Sequence, residues 1–551
     1  MKPQPPVTRI RTARASSAQP SALADFPTLG NYIETWQKAL AENEWTPWII
    51  VGLAAFLRFF LLGIKPPHFD EGINGWFVDQ TLHNGFYKYD PTNYHGPLHF
   101  YVLLLSQTLF GRNVIALRLP VVLVSIGCVW LTLKFEPFVG RVVSRLAALA
   151  MAVSPGFVFY GRYSIHEVWI LFFTMLFFIG LFGLWKSGSV TYLWCAGMGI
   201  TGMILSKETY ILHVACAIIA VGVCYFSTYF FKLDDAERTE QTWTYVDLAM
   251  VIGTGIALIV AFYSGFFFHW TGVRGIFEAY KPWFKTGSEG HGHEKPWPYW
   301  LNLIARYEWP ILGGVVVSLF AIRFKNMALR YLAIYGVGTL MAYSIVKYKT
   351  PWCIISFIWP FTFIFGAATL IIPAAYRTIT YLVSAVMLTG SLLYCVWLNY
   401  FRCTTDTEPY VYVQTYNDIF KFTDPLIQLA HSDPRAYQLV GHIIRPSPYP
   451  LPWILGEFGR VGYYEKDNMP EKVDGDFLLV MQDKIETVEK KLHDSYYTVP
   501  VTIRPYQDPS KAYFSAKIFK GFFPGKSPDF IGAPAQPSPS PPPSPTSKAN
   551  P

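Results

Sequence analysis

Charge is what this chain has little of. Asp, Glu, Lys and Arg make up 15% of its 551 residues, against about a quarter in a soluble domain, and the deficit excludes an ordinary water-soluble globule. The seven cysteines, at 128, 195, 216, 224, 353, 395 and 403, lie in or beside apolar runs without paired close spacing, so neither a disulfide framework nor a zinc motif is readable. A phosphate loop, a nucleotide-binding fingerprint and an internal repeat are all missing from the sequence. The net charge of +8 comes with no basic face or motif, and nucleic acid is not expected as a partner. What remains is 52% hydrophobic and 17% aromatic, the composition of a membrane protein that also has a sizeable polar part.

The first 45 residues hold Lys2, Arg9, Arg11 and Arg14 with no acid before Asp25, and read as a disordered basic arm on the cytoplasmic side. No small-residue cleavage site follows the first apolar run, which argues against a signal peptide. A bilayer crossing needs about 20 apolar residues. That test yields eleven runs: 48–64, 114–133, 142–160, 168–185, 190–205, 210–231, 248–268, 309–322, 331–346, 353–372 and 378–401. The shorter run 97–110 carries His99 and Gln107 and reads as an amphipathic helix at the interface. With the N-terminus inside, the loops 65–113 and 269–308 and everything after residue 401 face outward. Residues 402–525 turn charged and alternating, with expected strands at 436–440, 477–481 and 513–519 and a helix at 485–492, the pattern of a small external α/β domain. That domain carries no nucleophile, phosphate-loop or metal motif, which leaves it acceptor binding or partner docking. Residues 526–551 are a Pro/Ser-rich unpacked tail.

The outward segments hold the unusual residues. Asp70 and Glu71 stand just past the first apolar run, where a carboxylate can take a proton from an acceptor. Arg118 lies a turn inside a span, at a cost of roughly 2.5–3.5 kcal/mol on insertion scales, and calls for Asp70, Glu71 or a lipid phosphate as partner. Arg162 and Glu167 share a short turn, and Lys207 sits between two apolar runs as a point charge suited to phosphate. Lys347, Tyr348, Lys349 and Trp352 combine cations with flat aromatic faces and a proline, which suits a phosphate ester with a sugar beside it. His291, His293 and Glu294 are candidate metal ligands at a spacing far short of a helical His-Glu-x-x-His, so a divalent metal is not firmly expected. The loop around them reads better as an aromatic lid.

Taken together, Asp70–Glu71, His95-Gly-Pro-Leu98, Arg118-Leu-Pro120 and Tyr348-Lys-Thr-Pro-Trp352 resemble the first external loop and a later outer turn of the GT-C membrane glycosyltransferases. The likeness is to the protein mannosyltransferase and aminoarabinose transferase branch, and within it to the flippase-associated glycosyltransferases of bacteria and archaea. It covers roughly residues 48–400. The resemblance implies a polytopic α-helical GT-C-like fold in a bacterial or archaeal cytoplasmic membrane. It also implies an inverting glycosyltransferase that takes a sugar from a polyprenyl-phosphate donor to a protein, lipid or glycan acceptor at the outer face. Asp70, with Glu71 beside it, would be the base, and His95, Arg118, Arg162, Glu167, Lys207, Lys347, Tyr348, Lys349 and Trp352 the donor site. Where the aminoarabinose transferases tend to have a lysine before Pro-Pro-Leu, this chain has His95-Gly96. Two other readings use the same residues: a non-catalytic flippase partner or transporter for lipid-linked glycan, and a metal-dependent oligosaccharyltransferase-like enzyme or lipid-linked-sugar hydrolase.

Overall fold

The structure is a computed structural model that describes Thr35, Lys38 and residues 40–233, 241–290, 292–465, 468–505 and 509–532. Most of the basic arm, residues 533–551 and the candidate ligand His291 lie outside the described residues, and within the expected tail 526–551 the described part is not unpacked, since Asp529–Ile531 forms a strand. Each of the eleven apolar runs coincides with helix: α1 Thr46–Phe59, α4 Val114–Lys134, α5 Arg141–Val153, α6 Glu167–Ser187, α7 Val190–Ser206, α8 Tyr210–Phe231, α9 Tyr245–Tyr263, α12 Trp309–Ser318, α13 Met327–Ile345, α14 Ile355–Ile371 and α15 Arg377–Val396. Between them, α2 Phe69–Asn84 and α3 Leu98–Phe110 fill the first loop, and α10 Tyr280–Glu289 and α11 Tyr299–Tyr307 fill the second.

By length and composition six of the described helical stretches can cross a bilayer, and α1, α3, α7 and α12 are shorter apolar helices. The run 142–160 falls short because it is two helices. At Ser154 the hydroxyl caps the N–H of Phe157 and Pro155 opens a separate short helix, since proline lacks the donor that a continuing helix needs. α14 is buried along nearly its whole length and forms the centre of the bundle, whereas α9 and α15 are buried least. Their exposed faces carry Met250, Ile252, Ile256, Val386 and Leu393. Apolar surface of that extent is what a lipid-facing helix presents.

After α15 come α16 Phe420–Ser432 and a six-stranded sheet: β1 Val440–Ile444, β2 Arg460–Tyr464, β3 Phe477–Met481, β4 Asp494–Val501, β5 Ser510–Ser515 and β6 Asp529–Ile531. The order is β2-β1-β3-β5-β4-β6. β1 runs parallel to β2 and β3, and the remaining pairs are antiparallel. Alternate residues of β3 enter separate cores, Phe477 and Leu479 on the face covered by α16, Leu478 and Val480 on the other, so the strand reads as a continuous apolar run. The strand expected at 436–440 is displaced. Asp433 caps the N–H of Arg435, Pro434 opens a 3-10 turn to Gln438, and the strand starts only at Val440. The expected helix 485–492 is confined to Ile485–Glu489, and the strand of 513–519 to Ser510–Ser515.

The sheet unit is seated on α2. Gly72 and Gly75 face Pro450 and Trp453, and a Cβ at either would overlap them. Arg112 pairs with Asp79 of α2 at 2.8 Å and also donates to the Trp453 carbonyl. A second junction is made by Glu308, which is fully buried between α11 and α12. Its carboxyl meets the Ser154 hydroxyl at 2.5 Å and the Gly156 N–H at 2.7 Å, and accepts from the Tyr410 hydroxyl at 3.1 Å. Burial pushes this carboxyl from 4.5 up to about 7. The folded state therefore holds the proton more tightly than the unfolded state. Its contribution is fully present below pH 4.5 and is lost as pH rises through 7, a change of about 3 kcal/mol at roughly 1.4 kcal/mol per pKa unit. Thermal midpoints of the detergent-solubilised protein are expected to fall between pH 5 and 8, and Glu308→Gln to flatten that slope. An unchanged slope in the variant would remove Glu308 from this role.

Candidate active site

A capping box sets the site. α2 begins at His68, whose ring Nδ1 accepts from the Asp70 N–H at 3.1 Å, while Glu71, at the third helical position, accepts from the His68 N–H at 2.9 Å. That reciprocal bonding fixes the two neighbouring carboxylates in different directions. Glu71 turns inward and Asp70 turns to a cavity.

Glu71 and Arg118 are both fully buried and meet in a two-pronged ion pair at 2.8 and 2.7 Å. The same guanidinium donates to the carbonyls of Leu62, Lys65 and Pro66, and Glu71 also accepts from the Ser164 N–H. Burial works against the charge on Glu71, but Arg118 and the two N–H groups overcome it and hold the carboxyl down to about 2. The pair thus ties α4, the start of α2 and the turn 161–166 together. Arg118 was expected at the donor and Glu71 as a catalytic neighbour. Neither lies in the cavity wall, because each has the other as its partner.

Arg162 departs from expectation in the same way. Its guanidinium lies over the Tyr400 ring at 4.8 Å and donates to the carbonyls of Leu57 and Leu61, closing the end of α1. It makes no ion pair with Glu167, the acid that shares its turn. Glu167 binds Lys207 instead, with both buried.

The cavity measures about 770 Å³ and is walled by the start of α2, the turns at 165–167, 207–209 and 345–353, the helix α10, and Val413 and Arg504 from beyond the bundle. Asp70, His95, Glu167, Lys207, His293, Lys347, Tyr348 and Trp352 all face it. Among the described residues three carboxylates line it. Glu167 is held by Lys207, and Glu208 by His95 at 3.0 Å. Asp70 is the third, and among the described residues its side chain has no hydrogen-bond or ion-pair partner. Burial raises its carboxyl above the ordinary 3.8, partly opposed by His68.

Gly96 lets the loop of His95 cross the end of α7: its N–H bonds to the Ser206 carbonyl, and a Cβ there would overlap the Leu205 backbone. Trp352 meets the His68 ring edge-on at 5.7 Å, and Tyr348 meets His293 edge-on at 5.0 Å. Lys347 stays exposed at the rim. Lys349 lies outside the wall, its ammonium turned to the carbonyls of Val346 and Lys295, because it anchors the turn below.

His293 is 2.8 Å from the Tyr412 hydroxyl, and Glu294 bridges in backbone fashion to Tyr348. Among the described residues no group of three or more His, Cys, Asp or Glu side chains is placed to hold a metal ion. Sequence reasoning left Glu208 out of the site, although it adjoins Lys207 as a charged neighbour, and missed His166, whose ring lies tilted against those of His95 and His99 at 4.6 and 4.3 Å. It also missed Arg504, which has no signal at all in the local sequence.

A family model described as dolichyl-phosphate-mannose-protein mannosyltransferase matches residues 94–263, the stretch running from the loop of His95 through the end of α9. No curated protein matches the chain. Eighteen chains of solved structures do. One is ArnT from Cupriavidus metallidurans bound to undecaprenyl phosphate, with a TM-score of 0.58 and 14% identity over 86% of this chain and 98% of that one. The apo form of the same protein gives a TM-score of 0.55 and 14% identity over 88% and 98%. At that identity the likeness is one of fold.

Proposed function

We propose that the chain is a membrane glycosyltransferase of the GT-C superfamily, a reading supported by the family-model match and the similar fold, that it transfers a sugar from a polyprenyl-phosphate carrier to an acceptor at the outer membrane face, with inversion, and that Asp70 is the base. The observation that carries this reading is the contrast within one carboxylate pair: Glu71 is neutralised by Arg118, whereas Asp70, without a partner among the described residues, opens onto a cavity large enough for a sugar phosphate. The acceptor's nucleophilic oxygen or nitrogen attacks the anomeric carbon and passes its proton to an Asp70 carboxylate oxygen. The bond from that carbon to the phosphate oxygen breaks, and its electron pair leaves with the polyprenyl phosphate. Lys347 at the rim and Lys207 beside Glu167 offset the phosphate charge, and Trp352 and Tyr348 offer faces to the ring. ArnT from Cupriavidus metallidurans, bound to undecaprenyl phosphate, lends support through its similar fold. A donor that is already a lipid needs no nucleotide site.

The test is donor choice. Proteoliposomes holding the full chain are given labelled undecaprenyl-phosphate sugars or the matching nucleotide sugars, with a panel of acceptors. Transfer only from the lipid-linked donors, slowed by added undecaprenyl phosphate, is the expected result. Transfer from nucleotide sugars, or none from any lipid-linked donor, contradicts the reading, and none at all leaves the flippase-partner reading as the better one.

A further inference from the structure

The sheet unit has a crevice where its strand order reverses. From β1 the chain moves to β2 on one side, then returns to β3 on the other. In open α/β sheets with that arrangement, ligands settle outside the carboxyl ends of the two parallel strands. Here the carboxyl end of β1 leads at once to buried Arg445, then to Ser447, whose φ of 54° is left-handed, and then to Pro450 against α2. The crevice side of the sheet is therefore directed at the helix that bears Asp70.

Arg504, in the segment after β4, completes the arrangement. One guanidinium nitrogen donates to the carbonyl and hydroxyl of Ser447 at 3.0 and 2.9 Å, and the group lies over the Phe69 ring at 4.3 Å, one residue before Asp70. It is 4% exposed and faces the cavity. Among the described residues its Nε has no hydrogen-bond partner and no carboxylate pairs with it. Burial presses its pKa down to about 10, and Arg445 adds to that while Asp70 opposes it. An isolated buried cation of this kind is costly unless an anion joins it. The other cations on the cavity are differently placed, Lys207 on Glu167 and Lys347 in solvent. Guanidinium also matches phosphate with two parallel donors, which an ammonium does not.

We propose that Arg504, held by Ser447 and Phe69, is the cavity's receptor for a phosphate oxyanion of a substrate. This rests on the reading of the cavity as the transfer site. The oxyanion has two sources: the phosphate of the polyprenyl carrier, or a phosphate on the acceptor, which enters from the side that the sheet unit covers.

The experiment uses the full chain in detergent, as wild type, Arg504→Gln and Arg504→Lys. Affinity is measured for undecaprenyl phosphate and, separately, for inorganic phosphate, with thermal midpoints alongside. Arg504→Gln is expected to weaken at least one probe tenfold or more, and Arg504→Lys, which keeps the charge without the two parallel donors, to weaken the same probe by less than Arg504→Gln does. Weakened undecaprenyl phosphate binding assigns the site to the carrier. Weakened inorganic phosphate binding with the lipid unaffected assigns it to the acceptor. Wild-type affinity for both probes in Arg504→Gln overturns the proposal and leaves the donor reading standing. So does an equal loss in both variants accompanied by a falling midpoint, which marks a purely structural arginine. If the wild type binds neither probe, the proposal and the donor reading fall together.

Discussion

Asp70→Asn is expected to lower transfer by about 10²- to 10⁴-fold, the range that a positioned general base contributes, while undecaprenyl phosphate still binds. The substitution keeps the shape of the side chain and leaves the backbone N–H that bonds to His68, so the start of α2 is undisturbed. What it removes is the one carboxylate on the cavity wall that no described side chain neutralises. The pH profile follows from the same group. Asp70 acts deprotonated, and burial raises its carboxyl above the ordinary 3.8, so the acid limb of the rate falls at a pH above that of a solvated aspartate. In Asp70→Glu a shifted limb with partial activity is expected, and a profile that keeps its acid limb in Asp70→Asn would assign that limb elsewhere.

Arg118→Met is expected to have the largest effect on stability. It strands Glu71, which is fully buried and holds a charge, and breaking one half of a buried pair costs about 3–5 kcal/mol. Three backbone carbonyls lose their donor as well. The expected outcome is a sharply lower thermal midpoint and poor yield from membranes. Adding Glu71→Gln to it removes the stranded charge and keeps an acceptor for one of the two N–H groups, of His68 or Ser164, and recovers part of the loss. If the single variant is as stable as wild type, the pair is not the tie described here. If it is stable and has lost only donor affinity, Arg118 belongs to the donor site after all.

The sequence made the membrane bundle legible through its long apolar runs, and the resemblance at Asp70–Glu71 and His95-Gly-Pro-Leu98 pointed to the loop whose Asp70 and His95 line the cavity. It did not separate the members of the carboxylate pair. That distinction is made by the capping box at His68, in which the residue at the third helical position must turn back to the backbone, and histidine is a poor sequence signal for a cap. The cost of burying Arg118 was readable, but its partner was not, because Glu71 stands 47 positions away and nothing local selects it over Asp70 or a lipid phosphate. Arg162 and Glu167 share a turn yet point apart, Arg162 to carbonyls of α1 and Glu167 to Lys207. Arg504 was beyond sequence reasoning, since it reaches the cavity only through the docking of glycines 72 and 75 against Pro450 and Trp453. The strand boundary at Val440 was lost to the turn chemistry of Asp433 and Pro434.

The measurement that bears most directly on the account is the anomeric configuration of the product formed from an undecaprenyl-phosphate sugar of known configuration, followed by NMR in wild type and Asp70→Asn. The account predicts an inverted centre in the wild-type product and no product above background from the variant. A retained configuration, or undiminished transfer by Asp70→Asn, would contradict it.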